Sequence, residues 1–170
     1  MTELDKLAAV KNGMVQVIVE ASRGMTAKCK YDPDRRLFVL GKPLPHGLAY
    51  PFDWGFIPGT RGGDGDPLDA LVLHDAACPV GCLIECTPIA VLEVEQKEKG
   101  DQARRNDRFL LRPHSDKTIK NDILTLRLKQ ELENFFRGVV LGSGKIITFL
   151  GWKDAAVALG SIKHSAKDLG

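Results

Sequence analysis

The chain has 170 residues, of which 44% are hydrophobic and 27% are charged, and its formal net charge is +2. The length predicts one domain over residues 1–170 with a sizeable core, and the near-neutral charge favours neither nucleic acid nor an anionic membrane as a partner. No apolar run reaches the length of a bilayer span and the amino terminus lacks a secretory pattern, so we expect a cytoplasmic protein.

The first half of the chain predicts short strands separated by turns. Alternating and β-branched residues predict strands over 14–21, 26–31 and 36–40, followed by a long loop over 43–63 that is rich in Gly, Pro and aromatic residues. The first strand is expected to be half-buried, with Glu20 on its second face. The second strand places Lys28 and Lys30 on one face.

The second half of the chain adds further strands and then helices. Strands are predicted over 68–73, 83–95 with a bend at Pro88, 109–111 and 145–150, and the charged segment 93–108 predicts a solvated hairpin tip. An apolar stripe predicts a helix over 122–136 that stops at Gly138, and Asp154 is a candidate cap for a closing helix. Strands first and helices late predict an α+β protein built on a β-barrel.

The most concentrated charge lies in Asp64-Gly65-Asp66-Pro67-Leu68-Asp69, which holds three carboxylates within six residues. Carboxylates this close repel one another unless a cation neutralises them, and Mg²⁺ prefers such oxygen ligands. The alternative is a plain polar turn that caps the next strand. An EF-hand calcium loop fits poorly, because no Glu closes the loop.

The cysteines and histidines do not predict a metal site. Zinc sites favour two-residue gaps between cysteines, and here no histidine follows the cysteines at ligand spacing. The histidines are scattered along the chain. We therefore expect buried free thiols at Cys29, Cys78, Cys82 and Cys86.

Several motifs together resemble the soluble family I inorganic pyrophosphatases. They are Val17–Glu20, Tyr50–Pro58, Asp64–Leu73, Pro113–Ser115 and Gly151-Trp152, and the resemblance covers the chain from about residue 15 to about residue 160. It implies an α+β fold in which a five-stranded OB-like barrel is flanked by two main helices. It also implies hydrolysis of pyrophosphate with Mg²⁺, or Mn²⁺ as a substitute, and a homohexamer as in bacterial members.

The resemblance also assigns roles to individual residues. Asp64 and Asp69 match ligands of the activating metals, and Asp66 matches the metal-contacting carboxylate that orients or deprotonates the attacking water. Glu20 matches a carboxylate that holds a further, substrate-borne metal through water. Lys28 and Tyr50 match residues that contact phosphate.

Some pocket positions depart from the family pattern. Lys30 stands where the family has a glutamate, which should weaken cation binding and strengthen anion binding. Lys42 replaces an arginine and keeps its charge but not its bidentate fork. Trp54 replaces a tyrosine. Paired acids are replaced by Gln96 and Lys97, and a Tyr-Lys pair that grips the departing phosphate is replaced by Val139-Val140.

The charged segment leaves one metal ligand open. Counting from the preceding strand, Asp101 falls where the family has a later aspartate. Counting back from Pro113, Asn106 takes that place with Asp107 beside it, and Arg108 takes the position of a phosphate-binding lysine. Both Asp101 and Asp107 therefore stay candidate metal ligands.

The sequence predicts an inorganic diphosphatase whose activity is reduced by the altered pocket and whose partners are a small-molecule substrate and copies of itself. Two alternatives stay open. One is a phosphoanhydride hydrolase that acts on an organic diphosphate, because Trp54, Val139 and Val140 make one end of the pocket more apolar. The other is a catalytically silent relative that binds an anion or a protein partner.

Overall fold

The structure is a computed structural model that describes residue 4 and residues 7–167. The strands are β1 (Val10–Lys11), β2 (Met14–Ala21), β3 (Ala27–Asp32), β4 (Leu37–Pro43), β5 (Asp53–Ile57), β6 (Leu68–Val72), β7 (Leu83–Glu98), β8 (Arg104–Arg105), β9 (Arg108–Pro113) and β10 (Lys145–Asp154). A 3₁₀ turn at Asn121–Ile123 precedes the helices α1 (Leu126–Val140) and α2 (Ala155–Lys167). In the described ranges, no helix combines the length and the apolar character that a bilayer crossing requires.

Five strands close into a barrel. β2, β5, β6, β9 and β7 pair in that order, and β7 pairs with β2 to complete the ring. The β6–β9 pairing is parallel, whereas the other four pairings are antiparallel. β10 lies along β7, and β3 and β4 form a separate two-stranded sheet. The predicted five-stranded barrel with two late helices is confirmed.

The strand predicted over 14–21 is present as β2, but it is buried on both faces, so the prediction that it is half-buried is wrong. Val15, Val17 and Val19 belong to the apolar cluster inside the barrel. The outer face, which carries Ile18 and Glu20, is also buried because β3 lies against β2. Glu20 is therefore a buried carboxylate rather than a surface charge.

The predicted loop over 43–63 contains the barrel strand β5, which the sequence did not reveal. All five residues of β5 are buried, so the strand shows no polar and apolar alternation. A side chain at Gly55 would collide with the carbonyl oxygen of Ile18 on β2, which explains why glycine stands there. The strand turns a presumed surface loop into part of the core.

Helix and hairpin bounds also differ from the predictions. α1 begins after Thr125, whose hydroxyl accepts a hydrogen bond from the Leu128 amide at 3.2 Å, and it continues through Gly138 to Val140. Gly138 packs closely against Leu48, because a Cβ there would lie 2.8 Å from a terminal methyl of that side chain, which would have to shift. β7 runs on to Glu98, which shortens the predicted hairpin tip. The predicted cap of α2 is confirmed by a 3.0 Å bond from the Val157 amide to Asp154.

Candidate active site

The aspartate motif lies where a loop enters β6. Gly65 has a φ of +90°, a left-handed conformation that favours glycine, and it turns the chain between Asp64 and Asp66. The Asp66 amide donates a 3.1 Å hydrogen bond to Oδ1 of Asp64. Asp69 lies within β6, where it pairs with Phe56 of β5 and with Arg108 of β9. The strand pairing therefore fixes Asp69, and the turn positions the other two carboxylates beside it.

Outside the charged segment 93–108, a positively charged side chain contacts three of the four carboxylates that were predicted to hold metal. Nζ of Lys28 lies 3.4 Å from Oε2 of Glu20, and Nζ of Lys30 lies 3.2 Å from Oδ2 of Asp66. The Arg108 guanidinium donates to Asp69. Lys28 and Lys30 come from one face of β3, as the sequence predicts. The structure thus brings acids from β2, β6 and the preceding loop together with cations from β3 and β9.

Burial and mutual repulsion alter the ionisation of this group. Burial raises the pKa of the Glu20 carboxyl, and the Lys28 charge opposes that shift. Burial raises the pKa of Asp64 as well, and the charges of Asp69 and Asp66 add to it. For Lys28, burial by itself lowers the pKa, but the charges of Asp69 and Glu20 outweigh it and leave the pKa raised. The excess of negative charge and the oxygen-only donors fit a hard divalent cation.

Aromatic rings form the floor beneath the cations. The Arg108 guanidinium lies 5.4 Å from the centre of the Trp54 ring and 5.9 Å from that of Phe136. Nζ of Lys28 lies 5.8 Å from the Trp54 ring. Tyr50 packs beside Trp54, and burial raises the pKa of its phenol to about 12. Tyr50 is therefore a neutral hydrogen-bonding group at ordinary pH.

The charged segment places Asn106, rather than an aspartate, beside Arg108. Oδ1 of Asn106 accepts from the Arg108 guanidinium, and its Nδ2 donates to Oε1 of Gln96 at 2.9 Å. The Asp107 carboxylate instead accepts from the Val94 amide at 2.8 Å and pairs with Arg105 at 2.9 Å. Asn106 thus joins Gln96 to Arg108, while the Asp107 carboxylate is held within the hairpin.

The remaining predicted residues lie farther from the aspartates. Asp101 is exposed at the hairpin tip, where its amide donates to the Glu98 carbonyl. Lys42 is exposed on β4 and lies close enough to Glu98 for its charge to help lower the pKa of that carboxyl, which is held down mainly by a hydrogen bond from Lys145. Val139 packs on the apolar cluster that contains Trp54. The close contacts join Glu20, Lys28, Lys30, Asp64, Asp66, Asp69 and Arg108.

A second group of candidate ligands was missed by the sequence prediction. Among the described residues, Asp53, His74 and Cys78 are the one group of three whose ligand atoms all lie within 4.8 Å of one another. His74 precedes Cys78 by four residues, and the signal that the sequence analysis did not use is this interval together with Asp53 on the neighbouring strand. The four thiols are free as predicted, but only Cys86 is fully buried.

The comparisons with known proteins agree with this arrangement. The family model for inorganic pyrophosphatase matches residues 17–169. A curated inorganic pyrophosphatase from Synechocystis sp. is 35% identical over 167 residues, covering 95% of each chain. Another from Thermus thermophilus is 33% identical over 153 residues, covering 88% of this chain and 87% of the relative.

Solved structures show the same fold. The crystal structure of inorganic pyrophosphatase from Thermus thermophilus matches with a TM-score of 0.88 at 29% identity and covers 99% of both chains. The inorganic pyrophosphatase from Coxiella burnetii matches with a TM-score of 0.83 at 25% identity, covering 96% of this chain and all of the other. The chain belongs to the inorganic pyrophosphatase family, a family of hydrolases that use a divalent metal.

Proposed function

We propose that this protein hydrolyses inorganic pyrophosphate to two phosphates, with Mg²⁺ as its metal and Mn²⁺ as a substitute. The observation that carries the proposal is the cluster of carboxylates and cations around Asp64, Asp66 and Asp69, in which Lys28, Lys30 and Arg108 pair with acids. These three cations are the proposed partners of the phosphate oxygens. A substrate that carries both metal ions and phosphate charge needs such a mixed surface.

Asp64, Asp69 and Glu20 are the residues that would hold the metals, together with Asp66. When bound, divalent cations lower the pKa of coordinated water and offset charge on the phosphates. Asp66 is the proposed group that orients or deprotonates the attacking water. Its side chain is 63% exposed, so water reaches it, and the contact with Lys30 engages only Oδ2.

The cations and Tyr50 are proposed to bind the phosphates. Lys28 and Arg108 lie between the carboxylates and the aromatic floor, which keeps both side chains pointed at the site. Lys30 adds positive charge at the exposed rim. Lys42 is exposed on β4, near the hairpin tip rather than the aspartates. We therefore propose that it attracts the anion at long range.

Of the two open candidates for a further metal ligand, Asp107 lines the same cavity as Asp64, whereas Asp101 lies at the exposed tip. We therefore keep Asp107 as the nearer candidate, although Arg105 already pairs with it. An Asp107→Asn variant that loses Mg²⁺ affinity would support this choice. An Asp101→Asn variant serves as the matched control.

The direct test is the release of phosphate from pyrophosphate with Mg²⁺, with Asp66→Asn as the inactivating variant. We expect a loss of at least about 100-fold, because a positioned general base typically contributes that much. Asp34→Asn, an exposed aspartate between β3 and β4, should leave the rate unchanged. A wild-type rate equal to that of buffer would contradict the proposal, and faster turnover of an organic diphosphate would replace its substrate.

The assembly and the compartment are also proposals. We infer a homohexamer, supported by large apolar side chains that a single chain leaves exposed, such as Leu40 at 72% and Leu141 at 75%. Light scattering of the purified protein tests it, and a monomeric mass would contradict it. Cytoplasmic residence stays a prediction that cell fractionation tests.

A further inference from the structure

We propose that Asp53, His74, Cys78 and Cys82 form a zinc site that ties the loop between β6 and β7 to the start of β5. The site is separate from the aspartates, and the inference does not depend on pyrophosphate hydrolysis. Oδ2 of Asp53 lies 2.7 Å from Nε2 of His74. Cys78 lies close enough to contribute a third ligand atom within 4.8 Å of both. Cys82 is proposed as the fourth ligand because it lines the same pocket as His74 and Cys78.

Asp53 is a fully buried carboxylate that needs nearby positive charge. Its exposed fraction is 0%, and its oxygens accept hydrogen bonds from the Arg23 amide at 2.8 Å and the Cys78 amide at 2.9 Å, besides the contact with His74. Amide dipoles stabilise a carboxylate only in part, and an ionised group in an apolar interior is costly without a counter-charge. A cation that replaces the direct hydrogen bond between Asp53 and His74 would supply that charge.

The backbone of both cysteines is fixed by hydrogen bonds from outside the loop. The Ser22 hydroxyl donates to the Cys78 carbonyl at 2.5 Å, and the Val19 amide donates to the Cys82 carbonyl at 3.0 Å. The Gly81 amide donates in turn to the Val19 carbonyl at 2.9 Å. The loop is therefore preorganised against β2, which lowers the entropy that metal binding would otherwise have to offset.

The donor set distinguishes zinc from the hard cations of the aspartate site. One imidazole nitrogen, one carboxylate oxygen and two thiolates match the tetrahedral coordination of Zn²⁺, whereas Mg²⁺ prefers oxygen alone. Ligand atoms around zinc lie roughly 3.3–3.8 Å apart, given its usual bond lengths. The three ligand atoms already lie within 4.8 Å of one another, and zinc binding would require Asp53 Oδ2 and His74 Nε2 to separate from their present 2.7 Å, which side-chain rotation can supply.

Three of the four proposed ligands line a pocket that is open to solvent. His74, Cys78 and Cys82 line an open pocket of about 570 Å³ that also includes Glu85 and His114. On binding, each thiol releases one proton to solvent, and the imidazole carries its remaining proton on Nδ1 while Nε2 faces the metal. The pocket provides the entry path for the ion and the exit path for these protons.

The competing account is a metal-free latch, in which the hydrogen bonds of Asp53 alone hold the loop. The two accounts differ in what the thiols do, because a latch leaves Cys78 and Cys82 free to react. Cys29, which is half-buried on β3 and lies outside the group, provides a matched control.

The experiment removes metal from the reduced wild-type protein, adds Zn²⁺ or Co²⁺, and measures metal content after gel filtration and the cobalt absorption spectrum. We expect about one zinc per chain and a thiolate-to-cobalt charge-transfer band, since two sulfur ligands are present. Both should persist in Cys29→Ser and disappear in the Cys78→Ser/Cys82→Ser double variant. A wild-type protein that retains no zinc, or a band that survives in the double variant, would overturn the proposal.

A second measurement uses only the wild-type chain and so does not depend on how the variants fold. Iodoacetamide alkylation is followed by mass spectrometry with and without one equivalent of Zn²⁺. Zinc should slow modification of Cys78 and Cys82 at least about tenfold, because a bound thiolate is a poorer nucleophile, and should leave Cys29 unchanged. Equal alkylation of Cys78 with and without zinc would contradict the site.

Discussion

The paired strands β5 and β6 carry different chemistry at their two ends. At one end Phe56 pairs with Asp69, and the surrounding side chains are carboxylates, ammonium groups and a guanidinium, several of them open to solvent. At the other end Asp53 pairs with Val72, and the adjacent loop brings an imidazole and thiols to a fully buried carboxylate. The same pair of strands thus carries the proposed site for hard cations and phosphate at one end and the proposed zinc site at the other.

The largest expected effect comes from a substitution that disrupts β5 and therefore both proposed sites. In Gly55→Ala the added Cβ meets the Ile18 carbonyl oxygen, so β2 and β5 cannot keep their pairing. We expect a loss of about 3 kcal/mol or more in the free energy of unfolding, measured by urea denaturation. Gly160→Ala in α2 has open space and is the control, expected to be neutral or slightly stabilising. A native-like Gly55→Ala protein would contradict the tight β2–β5 contact.

The next effect is confined to the aspartate end. Asp69→Asn removes one proposed metal ligand and leaves the Arg108 guanidinium without its charged partner. Pyrophosphatase activity should fall more than about 100-fold, beyond the usual loss for residues that only support a metal ligand. Steady-state phosphate release measures it, with the exposed Glu131→Gln as control. Activity within tenfold of wild type at saturating Mg²⁺ would show that Asp69 is not a metal ligand.

A smaller effect comes from the charge at the rim. Lys30→Glu replaces an ammonium 3.2 Å from Asp66 with a carboxylate, so the local field becomes more favourable to cations. We expect Mg²⁺ affinity to rise by about tenfold, a modest change because both side chains are exposed and screened. Calorimetric titration measures it. Lys11→Glu on β1, which pairs with the opposite end of β2 from Glu20, should leave the affinity unchanged.

The smallest expected effect is the shift in the pKa of Tyr50, which lies beside the aspartate motif and is measured by titration. The chain has two tyrosines, so Tyr31→Phe leaves Tyr50 as the one phenol to follow by ultraviolet absorbance. Burial raises the Tyr50 pKa from 10.0 to about 12, and its phenolate should form only near that pH. Because the unfolded chain loses this proton first, stability should fall as pH rises from 10 to about 12. Ionisation near pH 10 would contradict the buried position.

The sequence predicts the parts of the fold whose residues are contiguous and patterned. The aspartate motif, the strands around it and the Asp154 cap were visible because spacing along the chain translates directly into geometry. β5 was not visible, because a strand buried on both faces has no alternation. Gly138 was taken as a stop, yet it lies inside α1, where it packs against the Leu48 side chain.

The two proposed metal sites show the same division. Asp64, Asp66 and Asp69 stand within six residues of the sequence. Asp53 is distant in sequence from His74 and Cys78, and the pairing of β5 with β6 brings them together. The pairing of Lys30 with Asp66 and of Arg108 with Asp69 was likewise beyond the sequence, since it depends on how β3 and β9 approach β6.

The most direct test of the metal-dependent pyrophosphatase account is a crystal structure with Mn²⁺ and a non-hydrolysable diphosphonate, read by the anomalous signal of manganese. The account predicts Mn²⁺ peaks among Asp64, Asp66 and Asp69, with Lys28 and Arg108 turned to the diphosphonate oxygens. Aspartates that still pair with Lys30 and Arg108, with no anomalous peak between them at saturating Mn²⁺, would contradict it.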